Sequence, residues 1–348
     1  MPPTCPPTAS AAIARLRFPL MLGVVLIHSV LMEPQEAAAQ GLDAVAFVVG
    51  LLSRSLPLPC VPLYFFIAGY LFFVKCGQHF TRADYGQRLR KRVRSLLVPY
   101  LFWNAAVLLF FALLHRFLPA VVNPDFNNVA RFTPGQLVRS FWDFPGGQPV
   151  CYQFWFLRDL MVGVVLSPVV CLLARYGRWP LTLALCALWA WRTDLFPYQA
   201  MLTFFTAGAT FAVGRTDFVA FARRCVPVAA PLFLALVVAN AVGSISGGGK
   251  NGLLVLTGMP TFVWLASLPA KVHRRLSDSA FFIYAFHGVP ILLLSKLLVR
   301  TVQPHGTLAW LACYATCFTA IVALSITLYA FLQRFLPRFA AFITGGRS

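Results

Sequence analysis

Arg17 and His28 stand eleven residues apart in a stretch that is otherwise nearly all apolar, residues 15–33 (RLRFPLMLGVVLIHSVLME). At ~100° per residue, eleven steps of an α-helix close about three turns, so both side chains fall on one stripe. At a rise of ~1.5 Å per residue they lie ~16 Å apart along the axis, about half of a hydrocarbon core of ~30 Å. An ionisable side chain within a membrane helix is costly to bury and is a functional candidate by default. A neutral imidazole at that depth can accept a proton. A cation at the membrane edge and an imidazole halfway down the same face is a layout that asks for a ligand. The structural alternative is a histidine hydrogen-bonded between helices.

The rest of the chain must supply a membrane cavity around that face. With 348 residues, 59% of them hydrophobic and 11% charged, and a mean hydropathy of +0.75, the chain is far from a soluble domain, which carries roughly 25% charged residues. Repeated apolar stretches of near-spanning length predict an all-α fold, a polytopic membrane protein of about ten transmembrane helices with both termini cytoplasmic. The net charge of +19 does not point to nucleic acid, because the basic residues cluster at alternate inter-helix loops in the positive-inside pattern. Membrane lipids with anionic head groups would meet the same charge. The nine cysteines show no metal-ligand spacing, and no metal is expected. Cys60 and Cys151 both fall near the predicted outer face, where a disulfide between them is open.

In chain order, residues 1–10 read as a short disordered cytoplasmic lead, 11–333 as a single transmembrane domain and 334–348 as a basic cytoplasmic tail. The first helix is expected over 11–32. The run Ala37-Ala38-Ala39-Gln40 resembles a signal-peptide cleavage site, yet the long apolar body with a histidine in it favours a retained helix. A surface helix is expected over 44–52 and a second span over 58–74. The strongly basic segment 75–94 is expected to be cytoplasmic. A third span over 96–117 carries Asn104 and His115. The long outer segment 118–151 holds Phe141, Trp142 and Phe144; loops of that length are more often functional than idle. Further spans are expected over 152–174, 180–191, 197–213, 226–243, 252–268, 280–299 and 308–332, with 180–191 and 197–213 short enough to be re-entrant. Trp103, Trp179, Trp191 and Trp310 suit an interfacial belt.

Several motifs in order carry a resemblance to a known family. The Arg17-x10-His28 spacing is similar to the first-helix signature of the integral-membrane acyltransferase-3 family, which O-acylates polysaccharides and other surface glycans. Residues 62–71 (PLYFFIAGYL) resemble its second helix. Residues 88–94 (RLRKRVR), followed by 97–100 (LVPY), resemble its basic segment and the start of its third helix. Trp155-Phe-Leu157 is like the opening of its fourth helix, and residues 281–287 (FFIYAFH) look like a late one. Members often show R-x-x-R in the basic segment. Here the arginines fall on even positions, so which of these cations meets a ligand is open.

The resemblance implies an O-acyltransferase of a bacterial inner (cytoplasmic) membrane, moving an acyl group, acetyl by expectation, from acyl-CoA to a sugar hydroxyl of an exopolysaccharide or lipid-linked glycan. Acetyl-CoA would be a co-substrate and no cofactor would be permanently bound. The CoA phosphates would lie near Arg17 and the cluster of Arg88, Lys91, Arg92 and Arg94, since Lys and Arg suit phosphates as charges and donors. His28 would act as general base or as acyl carrier. The sequence offers no GxSxG elbow for a serine nucleophile. Asp159, beside Arg158, is the expected orienting acid for His28, with a plain Arg158–Asp159 structural pair as its alternative. Asn104, Trp155, Arg158, Tyr284 and His287 are candidates to line the acceptor path or the cavity, and Trp142 or Trp155 could stack on a sugar. A transporter or exporter of glycan or lipid with the same architecture is the rival reading, because a proton-coupled carrier also uses an intramembrane histidine.

Overall fold

A computed structural model of the chain describes residues 6–75, 80–118, 128–143, 147–192, 195–245 and 252–346. The expected outer turn at 246–250, and with it Phe144, Cys5, Cys76 and Arg347, lie outside the described residues. All the described elements are helices. Five are long and apolar enough to cross a membrane: Pro7–His28, Arg82–Phe117, Ser167–Trp191, Phe218–Gly243 and Gly306–Phe335. A pair bent by 70°, Arg274–Phe286 and Gly288–Val302, makes a sixth if it counts as one span. Asp43–Leu52, Cys60–Phe73, Gln199–Val213 and Gly252–Ser267 are shorter apolar helices, so among the described residues five or six elements reach spanning length where ten spans were expected.

The first helix, α1 (Pro7–His28), starts earlier and stops earlier than expected. Pro7 takes the first helical position, where its missing N–H costs nothing, so part of the expected lead is already helical. At the other end the Ser29 hydroxyl bonds back to the Val25 carbonyl at 2.8 Å and its N–H turns onto Leu26 O. Pro34 then opens the short α2 (Pro34–Ala39) and holds Glu33 extended. His28 is therefore the last residue of its helix rather than a mid-helix residue. The expected surface helix, α3 (Asp43–Leu52), is not loose: Val45, Ala46, Val49 and Gly50 are buried, and Gly50 lies against the backbone of Ala241.

Between α4 (Cys60–Phe73) and the next long helix runs the basic α5 (Arg82–Arg92), capped at Thr81 by a reciprocal box with Asp84. It continues through a π-turn over Val93–Leu97 into α6 (Val98–Phe117). Pro99 has no N–H to donate into that turn, which accounts for the wider winding. After a short helix, α7 (Pro134–Arg139), the expected fourth span is broken into a 3₁₀ turn (Tyr152–Phe154), α8 (Trp155–Val165) and α9 (Ser167–Leu172). Pro168 denies Val164 its i+4 donor, so the helix resets at Leu166.

The remaining helices are α10 (Arg178–Trp191), α11 (Gln199–Val213), α12 (Phe218–Ile245), α13 (Gly252–Ser267), α14 (Arg274–Phe286), α15 (Gly288–Val302), α16 (Gly306–Phe335) and α17 (Pro337–Thr344). The span expected to run unbroken over 280–299 is the bent α14–α15 pair. Pro290 cannot donate to Phe286 O, and the break falls at His287. Part of the expected tail is the ordered α17, which docks on α6: Trp103 Nε1 donates to Ile343 O at 3.0 Å. Cys60 and Cys151 are both buried free thiols, so they form no disulfide.

The tightest crossing is α4 on α11. A Cβ at Gly69 would strike the Phe205 carbonyl, and one at Gly208 would strike Phe66 O and Tyr70 N. Without a hydrophobic drive between helices in lipid, close approach at small residues supplies the dispersion that holds them together. Around the crossing Phe65, Phe72, Phe73 and Phe205 are fully buried, with Phe72 and Phe205 at 6.0 Å between ring centroids. Gly208→Val is expected to lower stability by about 1–3 kcal/mol, read as a fall in thermal midpoint in detergent. Gly86→Ala, on α5 with open space at the Cβ position, is the matched control and should be neutral or slightly stabilising. Equal midpoints for the two variants would refute the close-packed crossing.

Candidate functional site

A cavity of about 590 Å³ runs along α1 between α4, α8 and α14. This is within the usual ~300–1,000 Å³ of small-molecule sites. Arg17 and His28 both line it, as do Arg92 from the end of α5 and Trp155 and Tyr284 from the expected set. Its walls are largely apolar, with Val24, Ile27, Val61, Ile67 and Leu71 among them. Arg17 is exposed at one end, and the Tyr64 hydroxyl donates to its carbonyl at 2.6 Å, tying α1 to α4 there. Arg15, two residues earlier, faces elsewhere: it caps the end of α13 through the carbonyls of Ala266, Leu268 and Ala270.

The basic segment divides in the same way. Arg92 reaches the cavity, whereas Arg88 donates to Phe72 O and lies over the Phe72 ring. Lys91 and Arg94 are exposed and do not line the cavity. Arg92, the last residue of α5, faces the cavity, while Lys91 one residue before it and Arg94 two residues after it face out.

Around His28 the structure brings together three interruptions of helix. The Tyr152 ring meets the His28 ring edge-on at 5.1 Å, and the His287 ring lies at 5.3 Å, tilted by 37°. Tyr152 belongs to the 3₁₀ turn that opens α8, and that turn is fixed from two sides. Asn104, fully buried, accepts from the Cys151 N–H at 3.1 Å. The Tyr284 hydroxyl donates to Gln153 O at 2.8 Å, and Gln153 Nε2 donates back to Ala285 O at 3.1 Å. Phe154 stacks on Tyr284 at 5.3 Å, nearly parallel. Gly288 leaves the room that the Gln153 side chain fills. Asn104 and Tyr284 therefore hold the wall that carries Tyr152.

Asp159 is not placed beside His28. Its carboxylate pairs with Arg158 Nε at 3.0 Å, and it does not line the cavity. Arg158 also donates to Trp142 O and Gly147 O and lies over the Tyr198 ring. The pair fastens the segment before α8 to that helix, which is the structural alternative to a carboxylate turned toward His28. Trp142 is partly exposed on that segment, away from the cavity.

Three polar residues that sequence reasoning passed over line the cavity: Gln153, Ser277 and Asp278. Gln153 has a readable signal, an amide at the head of an apolar run. Asp278 has a weaker one, a carboxylate just after Arg274 and Arg275 and the last acidic residue of the chain. It shares the cavity with Arg17 and Arg92, so that end holds both signs of charge.

A family model described as an acyltransferase domain of the acyltransferase-3 type matches residues 11–330. The chain is also 27% identical over 359 residues to the succinoglycan biosynthesis protein ExoH of Rhizobium meliloti (strain 1021), with 97% of this chain and 93% of that protein covered. No solved structure gives a significant match. With a match over nearly its whole length and apolar helices of spanning length, the chain belongs to the acyltransferase-3 family and is a multi-pass membrane protein.

Proposed function

We propose that the protein is an O-acyltransferase of a bacterial cytoplasmic membrane that carries a short acyl group, acetyl in the simplest case, from acyl-CoA to a sugar hydroxyl of an exopolysaccharide or lipid-linked glycan. The observation that carries this reading is the single cavity that joins two guanidiniums, Arg17 and Arg92, to the imidazole of His28. The relative's part in succinoglycan biosynthesis supports a glycan as acceptor. The basic segments support a cytoplasmic position for the Arg17 end, which is the side on which acyl-CoA is made.

In this reading the CoA phosphates lie outside the membrane against Arg17 and Arg92. The pantetheine arm follows the apolar wall for the ~16 Å that eleven residues of helix rise separate Arg17 from His28. The thioester then stands beside His28. His28 takes the proton of the acceptor hydroxyl as the oxygen attacks the thioester carbon, a form of catalysis typically worth ~10²–10⁴-fold. The apolar wall keeps water from competing for the thioester. Asp278, at the cation end, is suited to receive an amine or hydroxyl of the nucleotide rather than a phosphate.

His28→Ala is expected to cut the O-acyl content of the exported glycan by ~10²-fold or more at equal membrane levels of protein. Unchanged acylation would refute the mechanism. Replacing Arg17 with Met should raise the KM for acetyl-CoA by about tenfold and leave kcat nearly unchanged, as expected for a lost contact made equally in ground and transition states. A fall in kcat with KM constant would place Arg17 in the chemistry instead. Release of CoA from acetyl-CoA by the purified protein separates an acyltransferase from a transporter, which leaves the thioester intact.

A further inference from the structure

His287 lies behind His28 as seen from the cavity. It is wholly buried and does not line the cavity, whereas His28 does. Its Nδ1 stands 3.0 Å from the Ile283 carbonyl. A carbonyl only accepts, so Nδ1 carries the hydrogen and, in the neutral ring, Nε2 is left as a bare acceptor. That Nε2 is enclosed and takes no hydrogen bond from the described residues. A buried acceptor without a donor is uncommon and asks for an explanation. The His28 ring at 5.3 Å provides one, since a modest turn of it brings an N–H to Nε2.

The other groups around the two rings are already engaged or wrongly placed. The Tyr284 hydroxyl is given to Gln153 O. Arg54, on the turn after α3, is held by Glu33. Asp159 is held by Arg158. Tyr152 presents its ring to His28 edge-on, from a turn pinned at Cys151 and Gln153.

We propose that His287 is the positioning residue of His28: its Nε2 accepts the His28 N–H, so that the lone pair of the other His28 nitrogen faces the cavity. This rests on the reading of His28 as general base. The acceptor hydroxyl gives its proton to that free nitrogen as its oxygen bonds to the thioester carbon. The carbon–sulfur bond then breaks, and the same His28 nitrogen returns the proton to the CoA sulfur. His287 keeps its own proton on Ile283 O throughout and only holds the opposite N–H. A carboxylate in this place would bring a second charge into an apolar interior; a neutral imidazole fixes the tautomer with one charge at most during transfer. The position also depends on the bend, because His287 is the joint between α14 and α15.

The test uses the full chain in a deletion strain, with acyl acid released from the exported glycan by mild alkali and protein level measured in membranes. His287→Phe keeps bulk and removes the acceptor, and should lower acylation ~100-fold or more, as loss of tautomer control does in serine hydrolases. His287→Gln offers an amide oxygen and should recover at least ~tenfold of that loss. In purified protein, the ¹⁵N spectrum of His28 should show one fixed neutral tautomer in the wild type and in His287→Gln, and a tautomeric average in His287→Phe. Acylation by His287→Phe within about twofold of wild type, equal loss in both variants, or an unchanged His28 tautomer would overturn the proposal. His28→Ala separates the two failures. If it still acylates, the reading of His28 as base falls; if it is inactive while His287→Phe is active, only the pairing with His287 falls.

Discussion

A backbone group released from a helix inside a membrane has no water to turn to, and the site is built where this penalty is met three times in one place. α1 stops at His28, the 3₁₀ turn at Tyr152–Phe154 precedes α8, and α14 turns by 70° into α15 at His287. Each interruption is met by a side chain. Ser29 Oγ takes the Val25 carbonyl, Asn104 takes the Cys151 N–H, the Tyr284 hydroxyl takes Gln153 O and Gln153 Nε2 takes Ala285 O. The last two are reciprocal between the same two segments, so neither the turn nor the bend can shift without unpairing a polar group in an apolar interior. Unpairing costs roughly 1–3 kcal/mol per group. The imidazoles and the Tyr152 ring inherit their positions from that clamp.

The same logic separates the arginines, which composition alone treats as equivalent positive-inside charges. Arg15 completes the end of α13, Arg88 completes the end of α4, and Arg158 gathers carbonyls of the segment before α8 while its charge is met by Asp159. These are guanidiniums used as multi-donor staples, for which their fixed fork suits them. Arg17 and Arg92 serve no such carbonyl among the described residues and face the cavity instead. The cations that face the cavity are therefore a small subset of the basic residues, selected by helix phase.

This phase dependence explains what could be read from the chain and what could not. The Arg17–His28 spacing is a property of one helix, and helical periodicity alone brings both residues to one face. The class of fold follows from apolar runs that no soluble chain could keep in water. The breaks at His287 and Leu166 are harder to foresee. Pro290 and Pro168 mark them, but membrane helices tolerate proline, and whether one kinks or breaks depends on a partner from elsewhere; for the α14–α15 bend that partner is Gln153. The role of Asp159 was ambiguous for a related reason. A carboxylate next to an arginine in sequence can serve its neighbour or a distant imidazole, and only the carbonyls of Trp142 and Gly147, which draw Arg158 outward, decide it. His287 shows the same limit: its motif names the residue, while its burial behind His28 belongs to the packing of α14 on α1.

In the proposed reaction, a transferase working on a thioester has to admit a hydroxyl while excluding water, although the two nucleophiles differ little in reactivity. A wall of Val24, Ile27, Val61 and Ile67 gives stray water few hydrogen-bond partners along the path. The polar groups that remain near His28 are mostly spent on the backbone. An ordered water needs two to four partners to stay, and beyond the two imidazoles the paired groups of the site offer it few. In that reaction, discrimination between hydroxyl and water would come from the satisfied state of the clamp around Gln153 as much as from the shape of the cavity, and the residues that rigidify the site would also keep it dry.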